Sequence, residues 1–154
     1  MQAIEQKERF TPNFGAARLS RANLEGANLS SAKAQFVDFR EANLKRATAV
    51  GAFLQGADLS GASLQYADFS GAELKAATMS RCNLCGTKLA QAHGITQEHL
   101  NSAFGDASTT IPATLRFPDH WPKIHLDELD AQINWRKWQA DPENYVPPEA
   151  PEEG

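Results

Sequence analysis

Two cysteines and four histidines are the residues of this 154-residue chain best able to carry chemistry. Cys82 and Cys85 spell C-x-x-C, the spacing of a metal-binding or redox pair. His93, His99, His120 and His125 all fall in the C-terminal part, without the tight spacing of a metal motif. Asn28 opens an N-x-S sequon, but the opening residues MQAIEQKERF lack the apolar run of a secretory signal. No phosphate loop, nucleophile elbow or metalloprotease helix occurs. Whether the two thiols can meet depends on the elements that hold them.

Those elements are set by a period of five. Stepping by five through Leu24 gives Phe14, Leu19, Leu24, Leu29, Ala34, Phe39, Leu44 and so on to Leu84 and Leu89, sixteen positions that are all apolar. Two residues earlier in each unit stands a small residue, Ala in most units, Cys82 and Thr87 near the end. The phase never slips across residues 12–91, so no loop interrupts them. A strand alternates with period two and a helix repeats near 3.6, so neither keeps such a pattern on one face. A short extended side followed by a bend does, with the small and central residues both turned inward, and the chain then coils on itself. Leu24, Leu44, Leu54, Leu64, Phe69 and Leu84 are expected in the core. Cys82 takes an inward position and Cys85 an outward one, so the thiols should diverge. Asn or Asp before the central residue, as in Asn43 and Asp58, can bond to the turn backbone.

The units written here as ANLEG, ANLSS, ADLSG and ADFSG resemble the pentapeptide-repeat family. That resemblance implies an all-β solenoid, a right-handed quadrilateral β-helix with four units per turn, hence about four coils from sixteen units. Coils stacked about 4.8 Å apart place identical positions above one another and pair the backbone from coil to coil.

Five segments are expected: an N-terminal lead-in at 1–11, the β-helix at 12–91, a helical cap and loop at 92–119, a C-terminal amphipathic helix region at 120–146, and a disordered acidic tail at 147–154. A stack needs its ends closed. Thr96 suits an N-cap and Gly105 a helix end, with Leu100 and Phe104 on one side, so this helix should close the bottom of the solenoid. The stretch from GITQEHL to the loop-like, proline-bearing GDASTTIPATLRFPDHW also resembles a trailer found in many bacterial pentapeptide-repeat proteins. The second helix, about 126–140, has two apolar stripes: Leu126, Leu129, Ile133 and Ala140 on one, Ala131, Trp135 and Trp138 nearly opposite. If the first docks, Trp135, Trp138 and Tyr145 are left as a candidate interaction surface for a protein partner or a second copy of the chain. Phe36, Phe53 and Tyr66, outward and apolar, make a further candidate surface that could receive this helix or a partner.

Charge bounds the partners. The chain is −4 overall, yet residues 12–91 hold nine Lys or Arg against six acids, a net +3. Some family members, those conferring fluoroquinolone resistance, bind DNA gyrase through a DNA-like acidic rod. Here stacking every twenty residues would align Arg18, Asp38 and Asp58, and Arg21, Glu41, Gly61 and Arg81, so no face is uniformly acidic and no basic stripe argues for nucleic acid. The expectation is a non-catalytic protein-interaction or scaffold module, with a DNA-mimicking topoisomerase-binding protein as the alternative. No cofactor, metal or membrane contact is expected. Two cysteines in a chain this size form no disulfide framework, so a cytoplasmic location is expected as well.

Overall fold

A computed structural model describes residues 12–152, so the lead-in at 1–11 and the last two residues of the acidic tail lie outside the described part. The chain winds into a β-solenoid whose turns take twenty residues. One residue of each five-residue unit, the one before the central position, bridges in parallel to its equivalent twenty residues on, from Asn13↔Lys33 through Asn43↔Ser63 to Glu73↔His93. The backbone ladder follows from the same register: Leu44 N–H donates to the Ser63 carbonyl at 2.8 Å and Ser63 N–H to that of Ala42 at 3.0 Å. Single bridges replace long strands because the chain must bend every fifth residue.

Each bend is built from local chemistry. At Asp58 the carboxylate accepts from Ser60 N–H at 3.0 Å, and Ala62 N–H returns to the Leu59 carbonyl at 2.9 Å. The last residue of the unit then takes a left-handed conformation. Glycine does this without strain, as at Gly61 (φ +70°), but Arg21, Glu41, Tyr66 and Arg81 adopt it too, with φ from 58° to 63°. Tyr66 and Phe36 sit at such corners and lay their rings on the glycine of the next turn: a Cβ on Gly86 would lie 2.5 Å from the Tyr66 ring, and one on Gly56 2.5 Å from Phe36.

Inside, the alanines from Ala32 to Ala72 are buried, and Leu44, Leu54, Leu64, Phe69 and Leu84 fill the axis. Each such side chain contributes roughly 1.5–3 kcal/mol on leaving water. Leu24 departs from the expected core. It lies, with Phe14 and Leu19, in the first described turn, which has a described neighbour on one side only, and all three are half-buried.

After Leu89 the winding continues while its register drifts: His93 still bridges Glu73, Phe104 bridges Asn83 at a spacing of 21, and Thr110 bridges Lys88 at 22. One extra residue falls in the stretch that holds α1, Gln97–Asn101, and the second between Phe104 and Thr110. Thr96 caps it as expected, in a reciprocal box in which Thr96 Oγ1 accepts from His99 N–H and His99 Nδ1 accepts from Thr96 N–H. The rest of the expected cap differs. α1 ends at Asn101, not at Gly105, and it puts Leu100 in the main core while Phe104 turns to a second cluster outside the wall. Gly105 instead makes room for an indole: a Cβ there would lie 2.6 Å from the Trp121 ring. Trp121, fully buried and donating to the Ala103 carbonyl at 2.9 Å, plugs the end of the core.

The second helix, α2, spans Glu128–Ala140 and starts two residues later than the sequence reading because Asp127 caps it, accepting from Asp130 N–H at 2.8 Å. Residues 147–152 carry no helix or strand. No helix among the described residues is long and apolar enough to cross a membrane.

Candidate interaction surface

α2 lies along the wall formed by residues 42–46, 62–66 and 82–86. Its first turn is fastened electrostatically, with Glu128 bonded to both Lys45 and Arg46, the latter at 2.8 Å. The two cations pull the Glu128 carboxyl down from its ordinary value to about 2. Arg46 also lies 5.3 Å above the Tyr66 ring, so Tyr66 is half-buried behind the clamp. Further along, Trp135 Nε1 and Gln139 Nε2 both donate to the Arg81 carbonyl, at 2.9 and 3.1 Å. That carbonyl is free to accept because it sits at a left-handed corner.

Apart from Leu126, which is buried as expected, the stripe that docks is the reverse of the one expected. Trp135 and Trp138 are each 5% exposed and pack with Ala131, Phe104, Cys85 and Leu126 into the second core. Trp138 lies 5.9 Å from the Phe104 ring and is stacked at 5.1 Å, 10° from parallel, on His120. Tyr145 covers the edge, 5.7 Å from Phe104, with its hydroxyl donating to Asn134 at 3.0 Å; burial raises its pKa. Trp135 and Trp138 are therefore corrected from a displayed surface to an intramolecular core, and Tyr145 to its lid. Leu129 and Ile133, 67% and 41% exposed, face solvent instead. Two indoles bury more apolar area than two aliphatic chains, and the solenoid supplies Phe104 and Cys85 opposite them.

Of the other expected patch, Tyr66 lies behind the helix's clamp and is corrected from a displayed residue, whereas Phe36 and Phe53 stay clear of the helix. Phe36 remains 70% exposed and Phe53 39%, on the wall of residues 32–36 and 52–56, with Val50 just around the corner.

The chemically able residues are dispersed. Cys82 donates to the Leu59 carbonyl inside the main core, whereas Cys85 belongs to the second cluster. Burial pushes both thiols far up, which denies them the thiolate that metal or redox chemistry needs. Two of the histidines serve the backbone: His99 Nε2–H donates to Ala77 and His120 Nε2–H to Ala103, each at 2.7 Å. Among the described residues no group of three His, Cys, Asp or Glu side chains is placed to hold a metal ion.

Charge columns form as the twenty-residue register dictates. Arg21 bonds Glu41 one turn on at 2.9 Å, and Arg40 bonds Asp38 bidentately and reaches Asp58 at 4.0 Å. Arg40 holds the Asp38 carboxyl down to about 2. Beside α2, the corner column leaves an open groove of about 690 Å³, with Arg81, Gly61 and Ser63 on the solenoid side and Gln132, Arg136 and Gln139 on the helix. The sequence reading did not anticipate this groove or the Glu128 clamp. The neighbouring cations Lys45 and Arg46, at the end of one unit, were the available signal.

The five-residue register agrees with a known family profile. The profile for Pentapeptide repeats matches in eight copies, over residues 13–46, 38–75 and 52–91. Among solved structures, a pentapeptide-repeat protein of Nostoc Pcc 7120 is 31% identical, covering 77% of this chain and 80% of that one with a TM-score of 0.48. A second, from the cyanobacterium Cyanothece 51142, is 26% identical over 71% of this chain and 63% of that one, with a TM-score of 0.41. QnrB1, a plasmid-mediated fluoroquinolone resistance protein, is 16% identical over 70% of this chain and 78% of that one, with a TM-score of 0.31. No curated protein matches the chain.

Proposed function

We propose that this chain, which belongs to the pentapeptide-repeat family, works as a non-catalytic interaction module: a right-handed, four-sided β-helix of about four coils that presents fixed columns of side chains to a protein partner in the cytoplasm. The observation that carries the reading is the exposed pair Phe36 and Phe53. The turn backbone is paired coil to coil and cannot adapt, so what the wall offers is side-chain shape alone, and two large aromatic groups kept in water on a rigid wall suit a partner that covers them. The buried, separated thiols and the backbone-bound His99 and His120 supply no reacting group beside them. The alternating charge columns and the net +3 of residues 12–91 weigh against a DNA-mimicking topoisomerase binder. Partner capture with the immobilised protein tests the proposal. Phe36→Ser with Phe53→Ser should abolish a capture that the parent shows while leaving its melt within about 1 kcal/mol. Undiminished capture by the double variant would reject this wall.

A further inference from the structure

The groove beside α2 is chemically unlike the aromatic wall. Arg81 and Arg136 both line it, and among the described residues neither guanidinium has a carboxylate partner, whereas Arg21, Arg40 and Arg46 are all paired. Among the described residues Ser63 Oγ, buried in the lining, has no hydrogen-bond partner, and in the next turn of the same bridge column Asn83, itself fully buried, has an unpartnered Nδ2. Gln132 keeps both ends of its amide free among the described residues, and Gln139 spends only its Nε2, on the Arg81 carbonyl. Gly61 leaves the middle of the corner column without a side chain, so the floor between Glu41 and Arg81 is open. The volume, about 690 Å³, falls within the range of roughly 300–1,000 Å³ usual for ligand clefts.

These groups suit one ligand chemistry. Guanidinium groups match carboxylates in a two-point geometry, and free side-chain amides can meet both the N–H and C=O of a peptide backbone. The solenoid's own backbone is already paired from turn to turn, so recognition must come from side chains and not from strand addition. We propose that this groove binds an extended acidic peptide segment, its carboxylates on Arg81 and Arg136 and its backbone on Gln132 and Gln139. This site goes beyond the Phe36 wall and is independent of it.

Fluorescence polarisation with a fluorescein-labelled hexaglutamate peptide tests the site at about 0.15 M salt. Saturable binding is expected, weakened about tenfold or more by Arg81→Gln and by Arg136→Gln; both side chains are exposed, and because the Arg136 guanidinium also lies 5.4 Å from the Trp135 ring centroid, the melt is measured alongside. Arg18→Gln, on a different wall, should leave binding within about twofold. Should either arginine variant melt early, Gln132→Ala carries the test with an expected loss of about threefold. No saturable binding, equal weakening by Arg18→Gln, or displacement by inorganic phosphate at concentrations matching the peptide's would overturn the proposal. The Phe36 and Phe53 double variant should bind the peptide like the parent, which separates failure of this site from failure of the wall.

Discussion

Trp138→Ala is the sharpest perturbation of the docked helix. The indole is 5% exposed, stacked on His120 and against Phe104, and truncation of a buried tryptophan costs about 3–5 kcal/mol. That loss falls on α2 and not on the solenoid, whose main core contains none of these contacts. What remains to hold α2 is the packing of Trp135, Ala131 and Leu126, the Trp135 and Gln139 bonds to the Arg81 carbonyl and the exposed Glu128 clamp, so the helix stays docked in most molecules but opens more often. At about 1.4 kcal/mol per decade, a 3 kcal/mol loss raises the undocked population by roughly a hundredfold. The two thiols report it directly. Cys85 lies under α2 and Cys82 inside the solenoid, so thiol labelling read by peptide mass mapping separates local from global opening. Cys85 should label about a hundred times faster in the variant, with Cys82 unchanged within about threefold. An unchanged Cys85 rate, or parallel acceleration of both thiols, would refute the assignment of α2 as a separately docked element.

Gly94→Ala should lower stability by about 2 kcal/mol or more in denaturant unfolding, since φ is +82° and the added Cβ would lie 2.6 Å from the backbone nitrogen of Lys75, which cannot move aside. Leu64→Asp buries an unpaired charge on the axis and should abolish the cooperative melt, whereas Ser60→Ala, on an outward position, should change it by under about 0.5 kcal/mol. Acid should release α2 in two stages visible by tryptophan fluorescence. Burial depresses the His120 pKa, so its contribution is complete above its ordinary 6.5 and is lost as pH falls below that. The Glu128 carboxyl is also depressed, so the clamp is fully present above 4.5 and is lost as pH falls from there toward about 2; Glu128→Gln should remove this second stage only.

The solenoid was legible because its signal repeats. Sixteen consistent units fix register, inward positions and charge columns together, and Arg21–Glu41 and Asn43–Asn23 pairs twenty residues apart follow from counting. The divergence of Cys82 from Cys85 was legible for the same reason. The C-terminal part occurs once, so nothing averages its errors. Leu126, Leu129 and Ile133 looked as good a docking stripe as Ala131, Trp135 and Trp138, because the choice depends on what the wall offers. That is settled by Phe104, which turns outward only after α1 has shifted the register by one residue. Gly105 read as a helix stop by type alone, although its small size serves the Trp121 ring.

Site-specific photo-cross-linking in the native cell tests the claim of a displayed aromatic wall most directly. A benzophenone side chain placed at Phe36 should give a discrete protein adduct, and the same group at Leu129, exposed on the outer face of α2, should give none. Absence of any adduct from position 36, with the protein folded and present at normal level, would contradict the account.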